Sequence, residues 1–260
     1  MSISIDKDGN TLKISRQSKD IFLKTLVDNF SNLLVSTLEI HKAQNISVLP
    51  NELPIIEVSK AIMDRVLLID NKNILNIEFD TSGLEENLVR YMFYAAVISQ
   101  AYYKKYNTYQ AVYTAVIYPG FVKLPTNIYT TEGSLLFTVK QIYVPDYINP
   151  NEIYNETIHL IQSGENLSLH KQNLLNFLLS PYGMTNYDDC KKFCEDILKF
   201  SLKTPQICNN DHIFSLVAAS TASIIGDTDF FKDQMRSNER MKEAIDFLSG
   251  GLLSEYEDTI

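Results

Sequence analysis

Tryptophan is absent from this 260-residue chain, and cysteine, glycine and proline are scarce, with three, nine and eight residues respectively. Low glycine and proline contents, together with 45% hydrophobic residues, exclude a disordered or collagen-like protein. No apolar run reaches the length of about 18 residues that a membrane span requires. The three cysteines are an odd number and lie between Cys190 and Cys208, so the sequence predicts no disulfide framework.

A secretory signal is not expected at the start of the chain. Residues Met1–Lys13 alternate isoleucine with serine, aspartate and lysine, without a basic region that leads into an apolar one. We therefore expect a soluble, cytoplasmic protein that does not interact with membranes.

Basic residues are outnumbered, with 23 Lys and Arg against 32 Asp and Glu, which gives a net charge of −9. Residues 1–130 hold 13 of each sign, whereas residues 131–260 hold 10 basic and 19 acidic residues, so the whole excess lies in the second half. This balance excludes a broad basic face for nonspecific binding of nucleic acid, although a local groove can still be positive.

The pattern of apolar residues predicts an α/β region followed by a helical one. An amphipathic helix is predicted for Gln17–Leu38, because its apolar residues recur at helical spacing. It is followed by a predicted β-hairpin, with strands at Asp64–Asp70 and Ile74–Asp80, and by a second helix at about Leu84–Tyr106. A buried strand is predicted at Ala111–Tyr118, and at least one more strand at Ser134–Val144. This order predicts a mixed sheet with helices packed against it.

After Pro150 the pattern becomes helical and the composition acidic. Helices are predicted at Glu152–Gln162, Ser168–Leu179, Asp188–Leu202, His212–Ile225 and Thr228–Leu248. The prediction is therefore an α/β core over residues 1–150 and an acidic helical region over residues 151–260. We expect the acidic region to face away from nucleic acid and to serve a homodimer or another partner.

Three carboxylates fall at one end of the predicted hairpin. Asp64 opens its first strand, and Glu78 and Asp80 lie two apart near the end of its second, on one face. Acids at strand ends are commonly just solvated. However, Glu78 is flanked by Ile74, Leu75 and Ile77, and an acid in such a run needs a partner or an ion. Together these carboxylates could hold one Mg²⁺ ion, which prefers hard oxygen ligands.

Several stretches, in this order, resemble the PD-(D/E)XK nuclease superfamily, and in particular the Rpn recombination-promoting nuclease/putative transposase group. The matching residues are Ser18–Lys24 in the opening helix, Asp64, Asn76–Phe79, Arg90 with Tyr94, and Val112–Tyr118. The resemblance covers roughly residues 15–145. It implies a restriction-endonuclease-like mixed sheet core flanked by helices, and a DNA endonuclease that hydrolyses phosphodiester bonds in recombination or defence.

The resemblance also implies roles for individual residues. Asp64 and Glu78 would be catalytic ligands of Mg²⁺ or Mn²⁺, with the Phe79 carbonyl as a third ligand. Asp80 stands where the family has Lys or Gln, a group that positions water and stabilises the transition state. Asp80 is then either an additional catalytic ligand or the mark of a degenerate site. In the second case the chain would be a catalytically lapsed relative that acts as a binding or regulatory protein.

Cationic residues near this region are candidates for binding the substrate. Lys60, Lys72 and Arg90 could each supply the missing positive charge. Arg90 and Tyr94 are four residues apart and therefore share a helix face. They would contact a phosphate or orient Glu78, unless they are a surface arginine stacked on a tyrosine.

A second constellation invites comparison with a zinc site. Cys190, Cys194, Cys208 and His212 form two pairs, each with helical i, i+4 spacing. Against this interpretation, Cys190 and Cys194 share an apolar helix face with Phe193, Ile197 and Leu198, where a free cysteine is an ordinary core residue.

Overall fold

The structure, a computed structural model, describes residues 17–43, 45–48, 65–131, 135–226 and 228–244. The chain forms two compact units. One unit comprises Val27–Tyr147, and the other comprises the chain up to Leu26 together with Ile148 onward. The sequence placed its division near residue 150 and put the whole opening helix with the sheet, whereas the structure divides that helix between the two units.

The described part of the sheet unit contains the second part of the opening helix, the whole of a second helix and seven strands. Helix α1, Gln17–Thr37, is kinked at Phe30, where the backbone leaves helical geometry (φ −133°, ψ 19°). Helix α2 is Asn87–Tyr106. The strands are β1 (Ile46–Val48), β2 (Arg65–Ile69), β3 (Asn73–Phe79), β4 (Ala111–Tyr118), β5 (Ile128–Thr131), β6 (Leu135–Thr138) and β7 (Lys140–Tyr143).

Five of these strands form a mixed sheet in the order β1-β2-β3-β4-β7. Strands β1, β2 and β3 are antiparallel neighbours, whereas β3–β4 and β4–β7 are parallel pairs. Strand β4 follows β3 through α2, because a parallel neighbour requires a crossover connection. The chain thus has a mixed α/β region with a five-stranded sheet and a C-terminal helical region, as the sequence predicted at this level.

The predicted hairpin is strands β2 and β3. Asp70 and Asn71 both have positive φ, and the Lys72 amide donates to the Ile69 carbonyl at 3.0 Å. Two successive residues with positive φ give the turn a twist that matches the flanking strands, and Asn and Asp tolerate this conformation.

The predicted strand at Ser134–Val144 is, in its described part, two strands of different sheets. Strand β6 pairs with β5 in a separate two-stranded sheet, and β7 joins the main sheet beside β4. Between them the Val139 amide donates to the Asn127 carbonyl at 3.0 Å. The sequence pattern does not reveal this change of partner, because both segments are rich in β-formers.

Helix α2 covers one face of the main sheet. At its first turns Leu88 and Tyr91 pack with Val116 and Tyr118, and further along Ile98 packs with residues of β2 and β3. These contacts bury apolar side chains of the helix and of three strands at once. They fix α2 along the face that carries Glu78.

The second unit consists of helices. They are α3 (Pro150–Gln162), α4 (Lys171–Leu179), α5 (Tyr187–Lys203), α6 (Pro205–Cys208), α7 (Asp211–Ile225) and α8 (Asp229–Ser237). Asn149, Asn186, Asn210 and Thr228 cap four of them by accepting a backbone hydrogen bond. Most of α7 is buried, as its apolar sequence predicts.

The prediction of one helix over Thr228–Leu248 is wrong. Helix α8 ends at Ser237, Asn238 is extended (φ −118°, ψ 110°), and residues 239–244 are helical again. Apolar periodicity continues across Asn238, so the break was not visible in the pattern. None of the helices in the described ranges combines the length and the apolar character that a membrane span requires.

Gly83, between β3 and α2, is expected to be intolerant of a side chain. Its φ is +63°, and an added Cβ would lie 2.5 Å from the Lys123 carbonyl oxygen and 2.8 Å from Val122 Cγ1. Gly164 is a matched control, since its φ is +83° but no atom lies within 4 Å of an added Cβ. We predict that Gly83→Ala lowers the free energy of unfolding by about 2–4 kcal/mol and Gly164→Ala by about 1 kcal/mol. Urea denaturation measures both, and equal losses would contradict the predicted contact.

Candidate functional site

The structure places part of the predicted carboxylate site. Asp64 and Lys60 lie outside the described residues, and the described register of the hairpin ends at the pair Arg65 and Ile77. Glu78 and Phe79 are the last two residues of β3, beside Val116 and Ile117 of β4. Asp80 follows directly. Lys72 lies in the hairpin turn, at the opposite end of β3 from Glu78.

Glu78 belongs to a row of buried polar side chains on the sheet face beneath α2. Asn76 is 0% exposed, Glu78 3% and Thr114 4%. Asn76 and Glu78 are two residues apart on β3, and Thr114 is the partner of Asn76 on β4, so all three share one face. The Asn76 side-chain amide donates to Glu78 Oε1 at 3.1 Å. We call Asn76, Glu78 and Thr114 the polar row.

Two oxygens of the polar row have no hydrogen-bond partner among the described residues. They are Asn76 Oδ1 and Thr114 Oγ1, and both are buried. A buried polar atom without a partner destabilises the fold by about 1–3 kcal/mol, so native proteins usually satisfy such atoms with water or an ion. Carboxylate, amide and hydroxyl oxygens are hard ligands of the kind that Mg²⁺ accepts. The oxygens of the polar row are therefore of the chemical type that binds a divalent cation.

Asp80 has a different environment, in which five donors surround its carboxylate. Oδ1 accepts from the Ser82 amide at 2.8 Å, the Ser82 hydroxyl at 2.7 Å and the Gly83 amide at 3.2 Å. Oδ2 accepts from Asn87 Nδ2 and from the Tyr91 hydroxyl, both at 2.9 Å. The Asp80 amide also continues the ladder by donating to the Ile117 carbonyl at 3.0 Å. Asp80 thus fastens the start of α2 to the end of β3.

Electrostatics agree with a charged Asp80. Burial raises the pKa of this carboxyl, but hydrogen bonds from Ser82, Asn87 and Tyr91 outweigh burial and hold the pKa below its ordinary value. Burial and the neighbouring Asp80 charge raise the pKa of Tyr91, which therefore stays protonated and keeps its donor. The ionised Asp80 and the protonated Tyr91 are therefore complementary as acceptor and donor.

This arrangement opposes the prediction that Asp80 is an additional catalytic metal ligand, because its oxygens are directed at protein donors. The sequence contains the signal that was missed, since Asp80-Thr81-Ser82-Gly83 is a typical turn in which an aspartate accepts hydrogen bonds from the amides that follow it. Tyr91 and Asn87 could not be identified in this way, because their contact with Asp80 depends on the docking of α2.

Arg90 and Tyr94 lie on α2, as predicted, but in different surroundings. Tyr94 is half-buried and packs against the apolar clusters beneath the helix. Arg90 is exposed, and its guanidinium carbon lies 5.2 Å from the centre of the Tyr91 ring. Burial lowers the pKa of Arg90, but Tyr91, Tyr94 and Glu78 outweigh it and raise the pKa above its ordinary value. The Arg90 charge is therefore felt at Glu78.

The cysteines and histidine of the second constellation do not form a metal site. In residues 17–43, 45–48, 65–131, 135–226 and 228–244, no three His, Cys, Asp or Glu side chains are placed to hold a metal ion. Cys190 and Cys194 are fully buried on α5, and the Cys190 thiol donates to the Pro181 carbonyl at 3.0 Å. Burial raises the pKa of the Cys194 thiol, which disfavours a thiolate ligand. These contacts agree with the interpretation of Cys190 and Cys194 as core residues.

Comparison with models of protein families, with curated proteins and with solved structures finds no match for this chain.

Replacing Asp80 by Asn should weaken the fold, because an amide cannot accept from five donors. We predict that Asp80→Asn lowers the free energy of unfolding by about 2–4 kcal/mol near neutral pH. The exposed Glu85, in the same loop, is the control, and Glu85→Gln should change stability by less than about 0.5 kcal/mol. Urea denaturation of both variants measures the difference.

The effect of Asp80→Asn should depend on pH. The folded-state pKa lies below the unfolded value of about 3.9, so the stabilisation is complete above that pH and is lost as pH falls through the folded-state pKa. The difference between wild type and Asp80→Asn should therefore shrink below about pH 4. A difference that stays constant down to the acid transition would contradict a charge-dependent role.

Thr114→Val tests whether the Thr114 hydroxyl lacks a hydrogen-bond partner within the protein. Valine has nearly the same shape, so in EDTA the variant should be as stable as wild type or more stable by about 1 kcal/mol. Thr157→Val is the control, because the buried Thr157 hydroxyl donates to the Ile153 carbonyl at 2.9 Å, and its loss should destabilise the protein by about 1 kcal/mol. A destabilised Thr114→Val would mean that its hydroxyl already has a partner.

Proposed function

We propose that this protein is a metal-dependent DNA endonuclease of the PD-(D/E)XK type, which hydrolyses phosphodiester bonds. The observation that carries the proposal is the polar row, where Glu78 is buried beside two oxygens that have no partner in the described part of the chain. The Asn76 and Thr114 oxygens beside this carboxylate are hard ligands that can bind a cation or its water, and a buried polar atom is stable when it has such a partner.

The order of elements supports the same proposal. Helix α1 precedes three antiparallel strands, α2 crosses over, and β4 lies parallel to β3. The resemblance implies a mixed sheet flanked by helices for a restriction-endonuclease-like core, and a mixed sheet with helices supports the proposal at that coarser level. Glu78 lies near the carboxyl end of β3, where the next element, α2, begins on the same face.

Glu78 and the predicted Asp64 would hold the cation, with Asn76 and Thr114 close enough along the row to bind its water. When bound, Mg²⁺ or Mn²⁺ would activate a water molecule and neutralise charge on the scissile phosphate. Glu78 is kept in place for this task by the Asn76 amide and by burial under α2.

Arg90 would supply the cation that the family has at the position of Asp80. Its guanidinium is charged at all relevant pH values, is exposed to a substrate, and acts electrostatically on Glu78. A guanidinium can bind a phosphate through two parallel hydrogen bonds. Asp80 contributes indirectly, because its bond to Tyr91 fixes the turn of α2 on which Arg90 lies. Tyr94, packed beneath, supports the same helix face.

A second candidate function is that of a catalytically lapsed relative that binds DNA or regulates a partner. The occupied carboxylate of Asp80 favours it, because the position that the family uses for catalysis is given over to structure. In that case the acidic helices after Ile148 would serve a homodimer or another partner. Light scattering of the full chain measures the oligomeric state, and a monomer would oppose the dimer.

Cleavage of plasmid DNA separates the two candidates. We predict that wild type cleaves slowly with Mn²⁺ or Mg²⁺ and not in EDTA, that Glu78→Gln and Asp64→Asn abolish cleavage, and that Arg90→Ala slows it about 10²–10³-fold. Glu85→Gln is the control and should cleave like wild type. Calorimetric titration with Mn²⁺ should show that binding is lost in Glu78→Gln and retained in Arg90→Ala.

Two results would count against the nuclease. No cleavage by wild type, with Mn²⁺ binding intact, would favour the lapsed relative. Cleavage that survives Glu78→Gln would mean that the polar row is not the catalytic site.

A further inference from the structure

The last turn of α2 and the loop after it expose several tyrosines beside two lysines. Tyr109 is 74% exposed, Tyr106 48% and Tyr103 37%. Lys104 and Lys105 are exposed between them. We call Tyr102, Tyr103, Lys104, Lys105, Tyr106 and Tyr109 the tyrosine–lysine patch.

The tyrosine rings of this patch are held in two pairs. Tyr103 stacks on Tyr109, with ring centres 4.3 Å apart and planes 18° apart. Tyr102 contacts Tyr106 at 4.4 Å, and Tyr102 itself packs on the apolar cluster of Val66, Ile74 and Ile98. The Lys105 ammonium lies 5.1 Å from the centre of the Tyr106 ring. Rings that are fixed in this way lose little conformational entropy when a flat ligand stacks on them.

The patch lies in a cationic stretch of an acidic protein. Between Glu86 and Asp146 the sequence contains Arg90, Lys104, Lys105, Lys123 and Lys140, and a single acid, Glu132. Helix α2 contains no acidic residue. The net charge of −9 therefore does not hold for this stretch of the chain, and on α2 itself Lys104 and Lys105 favour an anionic ligand without a competing acidic residue.

Lysines at the end of a helix also interact favourably with its dipole, and Lys104 and Lys105 are in the last turn of α2. This accounts for the charges but not for four tyrosines grouped in two ring pairs at the surface. An apolar protein partner would account for the rings but not for the surrounding positive charge. Aromatic faces together with ammonium groups suit a ligand with flat bases and phosphates.

We propose that the tyrosine–lysine patch binds single-stranded DNA, with bases stacked on Tyr106 and Tyr109 and phosphates contacted by Lys104 and Lys105. Duplex bases cannot stack in this way, because their faces are already covered by neighbouring base pairs. This proposal rests on the proposed nuclease and specifies its substrate class.

The position of the patch along α2 fits a substrate strand that continues toward Glu78. Arg90 and Tyr106 are 16 residues apart on one helix, a distance of about 24 Å. The exposed side chains between them include Phe93 and Gln100, and none of them is acidic. Sixteen residues at about 3.6 per turn place Arg90 and Tyr106 on opposite flanks of α2, so a single strand that reached from the rings to Arg90 would cross the exposed face of the helix obliquely.

Fluorescence anisotropy with labelled oligo(dT) and with a labelled duplex tests the proposal. Measurements in EDTA, with the Glu78→Gln protein, keep binding separate from cleavage. We expect Tyr106→Ala/Tyr109→Ala to weaken oligo(dT) binding at least about tenfold without affecting the duplex. Lys104→Gln/Lys105→Gln should reduce the slope of log affinity against log salt by about 1.4, because two phosphate contacts are lost.

A matched tyrosine–lysine pair in the helical unit serves as the control. The Lys191 ammonium lies 4.4 Å from the centre of the Tyr187 ring, and Tyr187 is 46% exposed. Tyr187→Ala/Lys191→Gln should leave oligo(dT) affinity unchanged. The proposal would be overturned if Tyr187→Ala/Lys191→Gln weakened oligo(dT) binding as much as Tyr106→Ala/Tyr109→Ala does. It would also be overturned if the protein bound single strand and duplex with equal affinity. A change in oligomeric state without a change in DNA binding would likewise overturn it, and would make the patch a protein interface.

The two proposals can fail separately. Uncut plasmid together with oligo(dT) binding that requires Tyr106 and Tyr109 would remove the nuclease and keep the patch. Cleaved plasmid together with unchanged affinity in Tyr106→Ala/Tyr109→Ala would remove the patch and keep the nuclease.

Discussion

The hydrogen bonds to Asp80 connect the three elements on which the sheet unit depends. Its amide extends the pairing of β3 with β4, and its carboxylate accepts from Ser82, Gly83, Asn87 and Tyr91. These bonds fix where α2 begins and which of its side chains face the sheet. Apolar contacts hold α2 against the sheet, and because hydrophobic contacts are not directional, the hydrogen bonds to Asp80 add the directional constraint on its position.

The position of α2 determines the surroundings of the polar row. Apolar side chains of α2 cover the sheet on both sides of Glu78, so the carboxylate lies in a poorly solvated environment. Low solvation strengthens any interaction with a cation and makes an unpaired oxygen unfavourable. The same helix carries Arg90 at its start and the tyrosine–lysine patch at its end. One element therefore links every feature from which a DNA-directed function is inferred.

Local sequence patterns were sufficient for most of the architecture. The hairpin, α2 and β4 are close to their predicted bounds, because alternation, helical spacing and turn residues act over a few positions. The apolar face of α5 that contains Cys190 and Cys194 is buried for the same reason. The sequence also indicated that Glu78 is unusual, since an acid within an apolar strand is rarely left without a partner.

Only the tertiary structure distinguished Glu78 from Asp80. Both are acids near the end of one strand, and spacing alone gave them the same role. Tyr91 and Asn87 bring donors to Asp80 across the loop, whereas Thr114 brings an oxygen without a partner to the row of Glu78. These contacts are set by the docking of α2 and by the register of β3 with β4. The sequence by itself therefore determined that Glu78 and Asp80 lie close together at the end of one strand. The long-range packing decided that Asp80 accepts hydrogen bonds from the loop and α2 whereas Glu78 lies beside oxygens without a described partner, because hydrogen-bond partners come from residues distant in the chain.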